Sequence, residues 1–161
     1  MAVYTVQFTP SAGFLVGLAL WTLVEYLLHR FAFHGFAPHY QHHADPADPK
    51  YILAPFRLSL SSIAGLWGLA SIVAGSIWQA APVVAGVVVG YLAYEWVHLR
   101  LHSRHRSGWL TRILRKHHFH HHYANDRVCY GVTSPIWDFV LRSVPQGRPA
   151  RPSGIRSTRE S

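Results

Sequence analysis

Histidine is unusually frequent in this chain of 161 residues, which contains 13 histidines and only 7 acidic residues. The histidines fall into four clusters, His29-x4-His34, His39-x2-His42-His43, His98-x3-His102 and the run from His117 to His122. Residues four apart lie on one face of a helix, so His98 and His102 can bind the same metal ion. His39 has histidines at i+3 and i+4, namely His42 and His43, and His118 likewise has His121 and His122. The spacing therefore predicts metal binding.

Imidazole is a ligand for zinc, copper, iron and nickel, whereas magnesium and calcium prefer oxygen. A structural zinc site needs four ligands, so about ten clustered imidazoles exceed a single site. Two metal ions with roughly five nitrogens each fit the count. We favour a redox pair of iron ions and expect zinc to replace them after heterologous expression. The single cysteine, Cys129, excludes a disulfide framework, a cysteine-based zinc finger and an iron–sulfur site.

Two glutamates precede histidines at helical spacing. Glu25 stands four residues before His29, and Glu95 stands three residues before His98. Each carboxylate is predicted to accept the second ring N–H of its histidine, a common arrangement around metal sites. His105, His117 and His120 are interpreted as ordinary surface or core histidines.

Three apolar stretches are candidates for membrane spans, at about 12–28, 58–80 and 83–99, because crossing takes about 20 apolar residues. Pro82 and the two preceding alanines predict a short turn between the second and third stretches. Small residues in both stretches predict a close backbone approach. The hairpin returns the chain to one membrane face, so all four histidine clusters are expected on the same side.

The formal net charge of +8 is better explained by topology than by binding to nucleic acid. Every Lys and Arg lies in residues 30–57 or 100–161, and none lies before the first histidine cluster or in the predicted turn. The positive-inside rule then places these segments, and the metal site, in the cytoplasm, with the N-terminus outside. The Arg-, Pro- and Ser-rich residues 145–161 are predicted to be disordered.

The four histidine motifs, HRFAFH, HYQHH, HLRLH and HFHHHY, occur in this order around hydrophobic hairpins. This pattern resembles the fatty acid hydroxylase/sterol desaturase superfamily. The stretches EYLLHRFAFH at 25–34 and HHYANDRVCYGVTSPIWD at 121–138 are most similar to the fatty acid and sphingolipid 2-hydroxylases. Carotenoid hydroxylases share the four motifs and a short length, and they are the alternative, with sterol desaturase-type enzymes.

The resemblance implies a metal-ligand set, transferred position by position: His29, His34, His39, His42, His43, His98, His102, His118, His121 and His122. It also implies two iron ions, O2 as co-substrate and a lipid alkyl chain as substrate. Residues 1–144 would form the hydroxylase-like membrane domain. Larger members carry a fused cytochrome b5 domain, which is absent here, and no flavin or nicotinamide motif is visible. A separate ferredoxin or cytochrome is therefore expected as electron donor.

These observations predict an all-α integral membrane domain with three spans and a cytoplasmic helical cap that carries a dinuclear metal site. The predicted function is O2-dependent hydroxylation of a lipid acyl chain at a bacterial-type inner membrane or its equivalent. Two non-enzymatic alternatives are a haem-binding electron carrier and a metal-binding or transport protein. Haem ligation would favour facing histidines within the spans, and transport would favour polar groups along them.

Overall fold

The structure, a computed structural model, describes residues 9–103 and 108–145, and the regular secondary structure within those ranges is helical. Its helices are α1 (Pro10–Phe31), α2 (Ala37–Ala44), α3 (Phe56–Ala74), α4 (Ile77–His102), α5 (Trp109–Tyr123) and α6 (Ile136–Val140), with 3-10 turns at Phe33–Gly35 and Pro49–Tyr51. No strand occurs within the described ranges. The predicted all-α class is confirmed.

Within the described ranges, three helical stretches are long and apolar enough to cross a membrane, namely Pro10–Gly35, Pro49–Ala74 and Ile77–His102. The predicted number of spans is confirmed. Thr9 caps the start of the first stretch, because its hydroxyl accepts the N–H of Ala12 at 3.3 Å. The cytoplasmic orientation and the domain boundary at residue 144 stay predictions, and the tail from 146 lies outside the described residues.

The turn between α3 and α4 lies earlier in the chain than the sequence predicts. Gly75 ends α3 by adopting a left-handed conformation, with φ of 69°, which glycine tolerates because it has no Cβ. The hydroxyl of Ser76 then caps α4 by accepting the Trp78 N–H at 3.2 Å. Pro82 therefore lies inside α4, because the reversal is complete before it.

Glycines allow α1 and α4 to pack very closely. A Cβ on Gly17 would lie 2.0 Å from the carbonyl oxygen of Val83, and one on Gly86 would lie 2.1 Å from that of Phe14. Each of these glycines has a second glycine four residues away, a pattern that permits close helix contact in membranes. Gly65 on α3 meets no atom within 4 Å. The glycine contact expected between the second and third spans thus forms between the first and third.

α1 and α4 run in the same direction, because α3 returns the chain between them. Trp21 on α1 packs edge-on against Tyr91 and Tyr94 of α4, with ring centroids 5.5 and 5.9 Å apart. α3 has no buried residue and attaches to α4 partly through the Ser59 and Tyr91 hydroxyls, 2.6 Å apart. The carboxyl ends of α1 and α4 therefore lie together, and α2 and α5 complete the histidine-bearing end.

Candidate metal centre

The structure gathers the ten histidines into two groups of five. Within each group, one ring nitrogen from every histidine lies within 4.8 Å of the corresponding nitrogens of the others. Group A consists of His29, His34, His39, His43 and His121, and group B consists of His42, His98, His102, His118 and His122. The groups are adjacent, since the rings of His43 and His122 stack with centroids 4.3 Å apart. Two neighbouring metal ions could be held here.

Neighbouring histidines in the sequence belong to different groups. The doublets His42–His43 and His121–His122 each send one ring to group A and one to group B. Successive residues of an α-helix point about 100° apart, so the two rings of a doublet diverge. Residues four apart share a helix face, so His39 lies in the same group as His43, and His118 lies in the same group as His122. The i+3 neighbours join the opposite group.

The ring nitrogens of group B lie at the separation expected for ligands of one metal. The Nε2 of His118 is 2.9 Å from that of His102 and 3.0 Å from that of His122. The Nε2 atoms of His42 and His98 are 3.1 Å apart. Metal–imidazole bonds of about 2.1 Å place adjacent corners of an octahedron about 3.0 Å apart. A neutral ring nitrogen carries either one hydrogen or one lone pair and cannot form a well-directed hydrogen bond with both neighbours, so this arrangement suits a shared metal.

Backbone carbonyls orient two rings of group A. The Nδ1 of His29 donates to the carbonyl of Tyr130 at 2.5 Å, and the Nδ1 of His121 donates to that of Val128 at 2.7 Å. A carbonyl only accepts, so both rings carry their hydrogen on Nδ1. Each Nε2 is buried without a hydrogen-bond partner, which leaves its lone pair available to a metal ion.

Burial keeps these imidazoles uncharged near neutral pH. Burial and the adjacent His43 ring lower the pKa of His39 to about 2, and burial lowers the pKa of His42 to about 3. The pKa values of His43 and His121 fall to about 4, chiefly through burial. Neutral imidazole is the form that binds a metal, so these residues need not lose a proton first.

The two glutamates have partners other than the predicted histidine rings. Glu25, only 2% exposed, accepts the N–H groups of Val132 and Thr133 at 2.7 and 2.8 Å, and the Thr133 hydroxyl as well. Glu95 accepts the N–H of Ala54 at 3.2 Å. In both cases a non-helical backbone donor from a segment distant in sequence approaches the carboxylate. The carbonyl oxygen of Tyr130 accepts the ring N–H of His29 that Glu25 was expected to accept.

Three histidines lie outside the two groups or outside the described residues. His117 donates from Nε2 to Asp138 at 2.9 Å, His120 belongs to neither group, and His105 lies beyond the described ranges. Asp138 is fully buried and also accepts the Tyr130 N–H at 2.9 Å. The role of Asp138 was not predicted from the sequence, although an acidic side chain within the apolar stretch IWDFV was a signal for a buried carboxylate.

An apolar pocket lies beside both groups. Its walls include Trp21, Phe33, Phe36, Tyr51, Leu58 and Tyr94. His39 of group A and His98 of group B both line it, and Glu95 is the one carboxylate among its described lining residues. A flexible hydrocarbon chain held in this pocket would lie against both groups of histidines.

Comparison with known proteins agrees with this arrangement. Residues 14–143 match the model of the fatty acid hydroxylase family. The human fatty acid 2-hydroxylase is 30% identical over 84% of this chain and 40% of its own length. The dihydroceramide fatty acyl 2-hydroxylase FAH2 of Arabidopsis thaliana is 31% identical over 84% of this chain and 62% of its own. The ceramide very long chain fatty acid hydroxylase SCS7 of Saccharomyces cerevisiae is 36% identical over 80% of this chain and 36% of its own length.

The chain thus spans from about one third to three fifths of the length of these curated relatives. A solved structure of full-length scs7p, in which only the hydroxylase domain is visible, superimposes with a TM-score of 0.76 at 33% identity. The match covers 83% of this chain and 55% of that one. The resemblance drawn from the histidine motifs is confirmed, and the chain belongs to the fatty acid hydroxylase family.

Proposed function

We propose that this protein is an O2-dependent, non-haem di-iron monooxygenase of the membrane that hydroxylates a lipid acyl chain. The observation that carries the proposal is the position of two adjacent five-histidine groups beside one apolar pocket. Relatives named as hydroxylases of fatty acids or of ceramide acyl chains support the same reaction class.

The donor set of the two groups suits a pair of iron ions, because imidazole binds iron well and ten nitrogens are present. Iron bound there would supply the redox chemistry by which O2, two electrons and two protons convert a C–H bond into C–OH and release one water. Group A and group B would each hold one ion. Zinc also accepts imidazole but lacks redox activity, so a zinc-loaded preparation is expected to be inactive.

The pocket would hold the reacting hydrocarbon and keep water away from it. Aromatic and aliphatic side chains form its walls, and apolar surface favours an alkyl chain over water by roughly 0.8 kcal/mol for each buried methylene. His39 and His98 stand at its boundary, so the chain would lie near both ions. Exclusion of water also protects reactive species from quenching.

We place the hydroxylation near the carboxyl end of the acyl chain, at C2. Both groups lie at the carboxyl ends of α1 and α4, where the spans end. A lipid anchored by its headgroup at the membrane face would bring its first carbons to this depth, whereas its methyl end would lie near the bilayer centre. The 2-hydroxylase activity in the names of the relatives supports this choice.

Electrons are proposed to come from a separate ferredoxin or cytochrome that docks on the cytoplasmic face. Arg112 and Lys116 on α5 and the nearby Arg127 are exposed on the histidine-bearing part of the fold. Positive charge attracts an acidic redox protein and raises its association rate at low salt. A C-terminal reporter tests the orientation: cytoplasmic signal is expected, and a periplasmic signal would refute the proposed access for reductants.

The reaction is tested by expressing the protein with a ferredoxin system and analysing total fatty acids by mass spectrometry. We expect acyl chains hydroxylated at C2, with an oxygen atom derived from 18O2. The product should disappear in His121→Ala and persist in the matched variant His120→Ala. Unchanged acyl chains alongside hydroxylated carotenoids, in a carotenoid-producing host, would instead assign a carotenoid ring as substrate.

A further inference from the structure

The segment from Cys129 to Ser143, here called the C-terminal loop, runs beside the membrane-spanning part of α1. Its Trp137 donates from Nε1 to the hydroxyl of Thr22 at 3.0 Å. Thr22 precedes Phe31, the last residue of α1, by nine residues, or roughly 13 Å at 1.5 Å per residue. This part of the loop therefore lies level with the apolar stretch of α1 and not with the histidine-bearing end.

The loop exposes an apolar face at that level. Ile136, Phe139 and Val140 of α6 are 60%, 66% and 60% exposed. Because they stand at i, i+3 and i+4, they lie on one face of this short helix and form a clustered apolar surface, the kind that marks an interaction site. α6 packs against α1, and the exposed Leu15 of α1 stands seven residues before Thr22 and therefore on the same face. The exposed face of α6 thus continues the apolar surface of a membrane-spanning helix.

Two buried carboxylates satisfy the backbone of the loop where it is not helical. Asp138 accepts the N–H groups of Tyr130 and Gly131 at 2.9 and 2.8 Å. Glu25 of α1 accepts the next two N–H groups along the chain. Backbone donors exposed to hydrocarbon each cost several kcal/mol, so irregular backbone occurs at membrane depth only where protein groups satisfy it. These four bonds meet that requirement for the N–H groups of residues 130–133.

The loop also closes on itself. The N–H of Cys129 donates to the carbonyl of Ser143 at 2.8 Å, which joins its two ends. The N–H of Ser143 donates to the carbonyl of Asp138 at 2.8 Å. A Cβ on Gly131 would lie 2.1 Å from the carbonyl oxygen of Ser134, so the interior has no spare room. The loop is a compact unit that needs little hydrogen bonding from water.

From this geometry we propose that the C-terminal loop re-enters the membrane and that α6 binds the acyl chains of the bilayer through Ile136, Phe139 and Val140. The continuity with the apolar surface of α1 and the protein-satisfied backbone identify hydrocarbon as the occupant of this face. The proposal concerns topology and does not depend on the reaction that the protein catalyses.

Single-cysteine labelling in lipid nanodiscs tests the proposal. Phe139→Cys and Val140→Cys, each labelled with the polarity-sensitive fluorophore NBD, are compared with Leu20→Cys on α1 and with Ala124→Cys after α5. Cys129 is buried, and the unsubstituted protein shows how much label it takes up. We expect the two loop positions to behave like Leu20→Cys, with strong quenching by doxyl-labelled lipid and at least fivefold weaker quenching by aqueous iodide than at Ala124→Cys.

Iodide quenching at Phe139→Cys and Val140→Cys equal to that at Ala124→Cys would overturn the proposal. Protection from both quenchers would also overturn it, because a second copy of the chain or another protein would then cover α6. Both positions are highly exposed, so their substitution leaves the interior of the loop intact. A thermal unfolding midpoint within a few degrees of the unsubstituted protein verifies that each labelled variant is folded.

Discussion

Group A and group B contain the same number of histidines but are held in different ways. Group A takes rings from α1, the following 3-10 turn, α2 and α5, and two of them depend on carbonyls near the start of the C-terminal loop. Group B takes its rings from α2, α4 and α5, with two i,i+4 pairs on long helices. The comparison indicates that group B depends on helix geometry, whereas group A also depends on a distant loop.

The first prediction concerns the metal content of each group and should give the largest effect. His121→Ala removes a ligand of group A, and His102→Ala removes one of group B. Because each group is expected to hold one ion, each variant should lose about one of two bound ions and all hydroxylase activity. Metal analysis of purified protein measures the first effect and product formation the second.

His120→Ala is the matched control, since His120 lies between ligands on α5 but belongs to neither group. Its metal content and activity should stay close to those of the unsubstituted protein. Equal loss of metal in all three variants would contradict the division into two groups.

The second prediction separates the groups through the loop. The carboxylate of Asp138 now accepts hydrogen bonds from backbone N–H groups, and the amide N–H₂ of Asp138→Asn would face one of these donors without being able to accept. The loop should therefore shift and carry the Tyr130 carbonyl away from His29. Loss of a group that orients a metal-bound histidine commonly weakens metal affinity by about 10- to 100-fold. We expect that loss for one ion, with the other nearly unchanged.

Competition with a chelator, followed ion by ion, measures the two affinities. Asp45→Asn on the exposed surface changes the charge equally and should leave both affinities unaltered. Parallel weakening of both ions in Asp138→Asn would show that group B depends on the loop as much as group A does.

The third prediction concerns the helix pair that joins the groups. Gly86→Ala places a methyl group against the backbone of α1, which must move away from α4. Overpacking of this kind costs about 1–3 kcal/mol, so the thermal unfolding midpoint in detergent should fall by several degrees. An unchanged midpoint would mean that α1 and α4 can separate without loss, and that their contact does not fix the distance between the groups.

The smallest expected effect is that of Gly65→Ala on α3. The added methyl group meets open space, and alanine is a better helix former than glycine by up to about 1 kcal/mol. The unfolding midpoint should therefore stay the same or rise slightly. A fall as large as that of Gly86→Ala would show that α3 takes part in close packing after all.

Periodicity in the sequence predicted the three spans, because a helix converts a local apolar pattern directly into a face. The set of ten histidines that the structure gathers was implied by the resemblance of the four motifs, and helical spacing by itself indicated only pairs such as His98 and His102. The division of each doublet between two groups was not predictable, since i+3 and i+4 positions are nearly equivalent until a second helix selects one direction. The turn at Gly75 was missed because Pro82 gave a stronger local signal than a glycine within a run of small residues.

The partners of Glu25 could not be deduced from the sequence either. Its carboxylate is four residues from His29, so a contact within α1 was the simplest expectation. The actual donors, Val132 and Thr133, are more than 100 positions away in the chain. Such a contact depends on how the C-terminal loop docks, and no helical period encodes that docking.

The histidine doublets have a consequence for the way in which metal is acquired. In each doublet, His42–His43 and His121–His122, adjacent residues belong to different metal groups. Fixing the ring of one residue therefore also restricts the backbone of the other. An ion in one group would therefore reduce the entropy lost when the second ion binds, which is the condition for positive cooperativity. We expect apo protein at limiting metal to contain fewer singly loaded molecules than two independent sites would give, with coupling weak enough for either group to hold its ion alone at saturating metal.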